Sequence, residues 1–316
     1  MTEDRRYANP AAFRRALTDR LRAVAQEGRW TLQQRQRQIA YDRLLERLYL
    51  IDDGWIVKGA TALLARDLCM RATVDVDLYR ATAAEAAETD LREAVRRDIG
   101  DWFRFEIGPR RPIGDGDKGV RLPVTAYVGA TPWSEFHVDL VGSDLRMTGE
   151  PEPVPPLARI VMPDVEQHGY RAYPLADHIA DKVVATFERY GPQQLPSTRY
   201  KDLIDLVGIV TGARLEASSA SRALASEAER RGVNVPRRFD APDRALWEPG
   251  YAAEARRWTI PMASTLDDAL GVVRPCLDAL LDGSATGTWR PELGAWQTDD
   301  DGEHASGGRV AGDGHD

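Results

Sequence analysis

Apolar side chains recur at Phe13, Leu17, Leu21 and Val24, a spacing that puts all four on one face of a helix. Asn9 supplies a capping side chain, Pro10 suits the first helical position, and Gly28 ends the run. A second helix is predicted from Thr31, where Gln34 completes a capping box and Leu32, Ile39, Leu44, Leu45 and Leu48 fill apolar positions. Asp52-Asp53-Gly54 reads as a turn. The pattern then shortens: a buried strand over Trp55–Val57, a helix entered through Gly59-Ala60-Thr61 and running to Arg66, and a strand from Ala72 to Tyr79.

An Ala- and Glu-rich helix follows from Ala83 to Gly100, and then three strands, Trp102–Ile107, Val120–Val128 and Glu135–Val141. Residues 114–119 between the first two read as a hairpin loop. Pro151-Glu-Pro-Val-Pro-Pro156 is the best linker candidate. Beyond it the periodicity is helical, over Leu175–Tyr190, Tyr200–Val210, Ser218–Gly232 and Leu266–Leu281. The expected fold is therefore α/β, a mixed sheet with helices over residues 1–156 and a mostly helical domain over 157–283. Residues 284–316 are Gly- and Asp-rich, and an acidic, disordered tail is expected there.

Composition narrows the functional classes. The net charge of −8 argues against nonspecific coating of nucleic acid. Six acids against one arginine after Thr298 carry −5 of it, leaving −3 for the rest of the chain. The polar N-terminus and the lack of any long apolar run imply neither a signal peptide nor a membrane span, and a cytoplasmic protein is expected. Cys69 and Cys276 make neither a disulfide framework nor a zinc site. Of the 42 basic residues only four are lysines, Lys58, Lys118, Lys182 and Lys201. Lysine and arginine are not interchangeable around phosphates or in buried sites, which draws attention to those four.

Period-two alternation places the carboxylates of Asp75 and Asp77 on one strand face. Neighbouring carboxylates repel unless a cation or a proton separates them, and Mg2+ suits a few carboxylates plus water and phosphates. Asp139 stands within an apolar strand, where an unpaired charge is costly. It either pairs with an arginine or joins Asp75 and Asp77 as a third metal ligand for phosphoryl transfer. Upstream, Lys58-Gly59-Ala60-Thr61 sits at a strand-to-helix junction, where free N–H groups can meet a phosphate.

Lys58-Gly-Ala-Thr-Ala-Leu-Leu64, Arg71-Ala-Thr-Val-Asp-Val-Asp-Leu78 and the later Asp139 resemble the AbiEii/AbiGii toxin family of nucleotidyltransferases, which includes MenT-like toxins. Asp177-His-Ile-Ala-Asp-Lys-Val-Val184 and Arg199-Tyr-Lys-Asp-Leu-Ile-Asp-Leu206 resemble two further blocks of that family, so the likeness spans about Trp55 to Leu206. Ala60 stands where the family carries a Ser or Gly. The resemblance implies a polymerase-beta-like nucleotidyltransferase domain followed by a helical domain. It implies Mg2+ on Asp75, Asp77 and Asp139, with NTP contacts from Lys58, Gly59, Ala60, Thr61, Arg71 and Lys182. Asp202 or Asp205 would position the lysine or the nucleotide. Lys182 could instead be a surface partner of Asp177 or Asp181, and Asp205 a structural partner of Arg199 or Lys201. The implied activity is NMP transfer to an RNA 3′ end, in particular the tRNA acceptor stem, by a toxin with a cognate antitoxin. The resemblance also implies regulatory phosphorylation at Thr73. A small-molecule or protein acceptor, or a catalytically silent NTP-binding protein, are the competing readings.

Overall fold

The computed structural model describes residues 6–113, 119–142 and 145–298. Helix α1 (Pro10–Glu27) starts as its pattern predicts: the Asn9 side chain accepts the Ala12 N–H, and Phe13, Leu17 and Leu21 are buried. Helix α2 (Leu32–Tyr49) carries the reciprocal capping box of Thr31 and Gln34. Its second half is enclosed nearly all round, polar side chains included. Arg43 and Arg47 both donate to the buried Asp101 carboxylate, at 2.6 and 2.7 Å. Asp42 accepts the N–H groups of Leu157 and Ala158, each at 2.8 Å. Burying these groups is tolerable because each charge has its partner.

The sheet is assembled from β1 (Ile56–Lys58), β2 (Asp75–Tyr79), β3 (Phe103–Ile107), β4 (Arg111–Pro112), β5 (Val120–Val128), β6 (Thr131–Val141), β7 (Glu152–Val154) and β8 (Tyr170–Ala172). Its order is β3-β5-β6-β2-β1-β8-β7, with β4 against β5. The β2–β6 and β1–β8 pairs are parallel and the others antiparallel, so the sheet is mixed as expected. Helices α3 (Gly59–Ala65) and α4 (Ala84–Ala94) fill the connections, and α4 ends well before the expected Gly100. Alternation along β5 is complete, every second residue buried from Val120 to Val128.

The second half holds α5 (Leu175–Phe187), a hairpin of β9 (Arg189–Tyr190) and β10 (Leu195–Pro196), and α6 (Tyr200–Gly212). Then come β11 (Leu215–Glu216), α7 (Ala217–Arg231), α8 (Arg244–Trp258), α9 (Leu266–Asp282), β12 (Thr288–Arg290) and β13 (Ala295–Gln297). One apolar cluster runs from Phe13 through the sheet to Trp289, so the two halves share a core. Helix α6 approaches closely: a Cβ at Gly208 would lie 2.1 Å from the Leu68 carbonyl oxygen. Among the described residues no helix is long and apolar enough to cross a membrane.

Three expectations are corrected. The proposed linker at 151–156 contributes β7, and the sheet continues to β8, so the helical half starts at Leu175 rather than at 157. Strands this short show no readable alternation. The tail expected to be disordered from 284 instead forms β12 and β13, which pair with each other. Trp289 is buried and donates to the Val210 carbonyl at 2.8 Å, while Trp296 packs 5.7 Å from it. Residues 299–316 lie outside the described residues, as do residues 114–118 of the expected hairpin loop. Finally, α8 was not anticipated: its buried stripe is only Trp247, Tyr251 and Ala255, and Pro249 interrupts it.

Candidate active site

One row of side chains crosses four strands. Lys58 on β1 lies opposite Asp77 on β2, Asp77 opposite Asp139 on β6, and Asp139 opposite Arg121 on β5. Residues paired in register share a sheet face, so the parallel β2–β6 pairing puts Asp139 beside Asp77. Asp75, two residues earlier on β2, shares that face and lies opposite His137. Val76, Val138 and Leu140 are enclosed in the core.

The row reads cation, two carboxylates, cation. The Arg121 guanidinium donates to both Asp139 oxygens, at 2.8 and 2.6 Å, and stands 3.7 Å from Asp75. The arginine alternative for Asp139 is thus present in this structure. Burial, followed by the charges of Asp139 and Asp75, pushes the Asp77 carboxyl up to about 6. Asp75 Oδ1 is enclosed without a hydrogen-bond partner among the described residues, with His137 Nδ1 at 3.4 Å.

These features suit a divalent cation in kind. The donors are oxygens on one face, Asp77 is crowded by like charge, and one Asp75 oxygen is unpartnered. They do not yet converge: among the described residues no three acidic, His or Cys side chains enclose an ion-sized space. In this structure Arg121 occupies both oxygens of Asp139.

The turn into α3 is shaped by the acids. Gly59 has φ +57°, and a Cβ there would lie 1.9 Å from Asp77 Oδ2. Thr61 is fully buried and its hydroxyl donates to the Asp75 carbonyl at 3.0 Å, and Ala60 is buried beside it. The side chains of Ala60 and Thr61 therefore face the core, while Lys58 reaches the row. Burial pushes the Lys58 ammonium down, and Asp181, at 3.4 Å, opposes this. Its Nζ also sits 4.0 Å from the Tyr173 ring centroid.

A second cluster lies in the helical half. Lys182 on α5 is 5% exposed and donates to Asp202 at 2.8 Å and Asp205 at 2.7 Å. Asp205 also accepts two bonds from Arg71, at 2.9 and 2.8 Å, and Asp202 pairs with Arg199. Lys182 is therefore not a surface partner of Asp177 or Asp181, and Asp205 pairs with neither Arg199 nor Lys201. Burial alone would raise the Asp202 carboxyl, but Lys182 and Arg199 more than offset it and hold it well below the usual range. The Lys182 charge also reaches Asp77 and tempers its rise, which links the two clusters electrostatically.

Thr73 precedes the row; its hydroxyl donates to the Asp75 carbonyl and accepts the Asp75 N–H, at 3.0 and 3.1 Å. Lys201 stays apart, exposed and 4.0 Å from Glu254. Lys118 lies outside the described residues. Arg121 was not singled out from sequence; its only signal was a charged residue at a non-buried position of an alternating strand.

Residues 43–278 match the protein family described as "Nucleotidyl transferase AbiEii toxin, Type IV TA system". No curated protein matches the chain. Among solved structures, the fold is similar to MenT4, a nucleotidyltransferase toxin from Mycobacterium tuberculosis H37Rv, at 16% identity and a TM-score of 0.49, over 81% of this chain and 99% of that one. It is also similar to JHP933 from Helicobacter pylori, at 17% identity and a TM-score of 0.44, over 78% of this chain and 92% of that one. The matched region takes in both ionic clusters and most of the chain. On that ground the chain belongs to the AbiEii nucleotidyl transferase toxin family.

Proposed function

We propose that this toxin transfers a nucleoside monophosphate from an NTP to the 3′ end of an RNA, and that the RNA is the acceptor stem of tRNA. The observation that carries the reading is the row Lys58–Asp77–Asp139–Arg121 with Asp75 on the same face. The RNA 3′-hydroxyl loses its proton to solvent and its oxygen bonds to the α-phosphorus as the bond to pyrophosphate breaks, so the RNA gains one nucleotide and pyrophosphate leaves. Mg2+ held by Asp75, Asp77 and Asp139 would lower the pKa of that hydroxyl and offset the triphosphate charge. Lys58 and Lys182 supply cations at the phosphates. The enclosed Asp205 and Asp202 act as positioning residues, fixing Lys182 and Arg71 rather than touching the nucleotide.

A tRNA capped in this way cannot be aminoacylated, which makes the activity toxic in the cytoplasm. We assign silencing by the cognate antitoxin to a phosphate on Thr73. It would remove the hydroxyl from the Asp75 backbone and place about −1.5 to −2 charge beside carboxylates that already repel.

The test incubates the protein with Mg2+, each α-labelled NTP in turn, and total tRNA. Label on tRNA that disappears with Asp75→Ala supports the reading. Label on a protein or a small molecule replaces the acceptor, and no label with no growth defect on expression rejects the function.

A further inference from the structure

A cavity of about 430 Å³ opens beside Asp75. Its lining runs from Arg71 to Asp75 and takes in neither Asp77 nor Lys58 nor Gly59. The other walls come from the N-terminal part of α2, the first turn of α6 and the last turn of α8. Four cations face it, Arg37, Arg71, Lys201 and Arg257, against the single carboxylate of Asp75. In a chain of net charge −8 that is a local reversal.

The cations are not equally committed. Arg71 is tied to Asp205. Among the described residues Arg37 donates only to the Thr73 carbonyl, at 3.4 Å, and its Nε is enclosed without a partner. The Arg257 guanidinium lies over the Trp258 ring, 4.9 Å from its centroid, and leaves the opposite ring face for a base. Among the described residues neither Arg37 nor Arg257 has a carboxylate partner, so each keeps its charge for a ligand. Val74 is 47% exposed although apolar, and Trp258 is half-buried. An aromatic ring and several cations lining one cavity match the chemistry of a nucleotide, a flat base joined to anionic phosphates.

We infer that this cavity receives the unpaired 3′-terminal nucleotides of the acceptor strand, with a base on Trp258 and backbone phosphates on Arg37, Arg257 and Lys201. The inference rests on the proposed RNA acceptor. Asp75 in the cavity wall would bring the terminal hydroxyl to the reacting face. The triphosphate is left the other end of the row, at Lys58 and the turn of Gly59. Lys201 and Arg257 are exposed, so the strand can leave over them towards its paired stem.

Fluorescence anisotropy with a labelled RNA hairpin bearing an unpaired 3′ end, and with the same hairpin made blunt, tests this on the full chain. Calorimetry with Mg2+-NTP runs in parallel. Wild-type protein should prefer the unpaired end, and Trp258→Ala should weaken that binding about tenfold, as expected for one lost base–aromatic stack. Trp258→Phe should retain most of it. Arg257→Glu, at an exposed position that does not threaten folding, should also weaken binding and lower the salt dependence by about one counterion. NTP affinity should stay within about twofold of wild type, since no stack or phosphate contact to it is removed.

Equal binding of blunt and unpaired ends, or unpaired-end binding unchanged by both Trp258→Ala and Arg257→Glu, overturns the inference. So does a fall in NTP affinity without loss of RNA, which would give the cavity to the incoming nucleotide. If wild-type protein labels no RNA yet holds the unpaired end through Trp258 and Arg257, the cavity stands and the proposed reaction fails. If RNA is labelled while both variants bind it normally, only the cavity assignment fails.

Discussion

Replacing Gly59 by alanine adds one methyl group at the point where α3 meets the acidic row. The added carbon would lie 1.9 Å from Asp77 Oδ2, 2.6 Å from its Cγ and 3.1 Å from its Cβ. Two separate costs follow. The backbone at φ +57° is left-handed, which costs a residue with a side chain roughly 1–2 kcal/mol. The overlap with Asp77 demands a shift of strand or helix, and overpacking of this kind costs roughly 1–3 kcal/mol. Gly59→Ala should therefore destabilise the protein by about 2–5 kcal/mol.

A double-mutant cycle separates the two. Asp77→Ala removes Oδ2 and Cγ, leaving only the 3.1 Å contact to Cβ. In that background Gly59→Ala should cost about 1–2 kcal/mol, so the coupling is about 1–3 kcal/mol. Urea unfolding of the four proteins measures it, provided the m-values agree. Additivity within about 0.5 kcal/mol would refute the reasoning, because Asp77 would then not be what demands glycine here. The same cycle carries a pH signature. The Asp77 carboxyl is raised from its ordinary 3.8 to about 6, so its ionised form is less welcome in the folded chain than in the unfolded one. Its stability contribution is complete below pH 3.8 and is lost as pH rises through about 6. Without added metal, Asp77→Asn should thus become progressively more stable than wild type across that window.

Arg121→Ala frees both oxygens of Asp139, so Mn2+ measured by calorimetry or EPR should bind several-fold more tightly, about what an ion pair exposed on its arginine side opposes. Weaker or equal Mn2+ binding would show that Arg121 does not compete for Asp139. Lys182→Met leaves two enclosed carboxylates short of a cation and should cost about 3–5 kcal/mol at neutral pH. Asp202 is held below the usual range, so its stabilisation is present above 3.8 and fades as pH falls below it. The Lys182→Met penalty should shrink in the same acid range, and thermal melts in a pH series would expose a constant penalty instead. Thr73→Glu should abolish transfer, whereas Thr73→Val, which loses only the hydroxyl contacts to Asp75, should keep most of it. Equal activity of the two would remove the case for charge at this position.

The parts legible in sequence were those governed by local rules. Caps fixed the starts of α1 and α2, and period two put Asp75 and Asp77 on one face. What brings Asp139 beside them is the parallel pairing of β2 with β6, a contact across 62 residues that no local pattern encodes. Arg121 was hidden for the opposite reason, since a charged residue in an alternating strand looks like any solvated position until its neighbour is known. Strands β7 and β8 are three residues each, too short for alternation to register. In the tail, Gly and Asp content outweighed Trp289 and Trp296, whose ring packing and indole hydrogen bonds hold β12 and β13 in place. The scarcity of lysine was a better guide than charge. Lys58 and Lys182 stand at the two ionic clusters and Lys201 at the rim of the cavity.

Arg71 shows why neither half of the chain forms this site alone. It lies four residues before Asp75 and is held by two bonds to Asp205 on α6. Three residues further along α6, Gly208 lies against the Leu68 carbonyl, so close that no side chain would fit. The segment entering β2 is thus gripped at two points by the helical half. On the other side, the Thr61 and Thr73 hydroxyls both bond the Asp75 carbonyl and fix its backbone from the sheet half. Asp75 is therefore placed by two sets of contacts that belong to different parts of the chain. A displacement of α6 by the length of one hydrogen bond would release Arg71, leave Asp205 and Lys182 unbalanced, and shift the entry to β2. The helical half is then part of the proposed reacting geometry rather than a cover over it, and changes at α6 should alter the proposed transfer even where they touch neither NTP nor RNA.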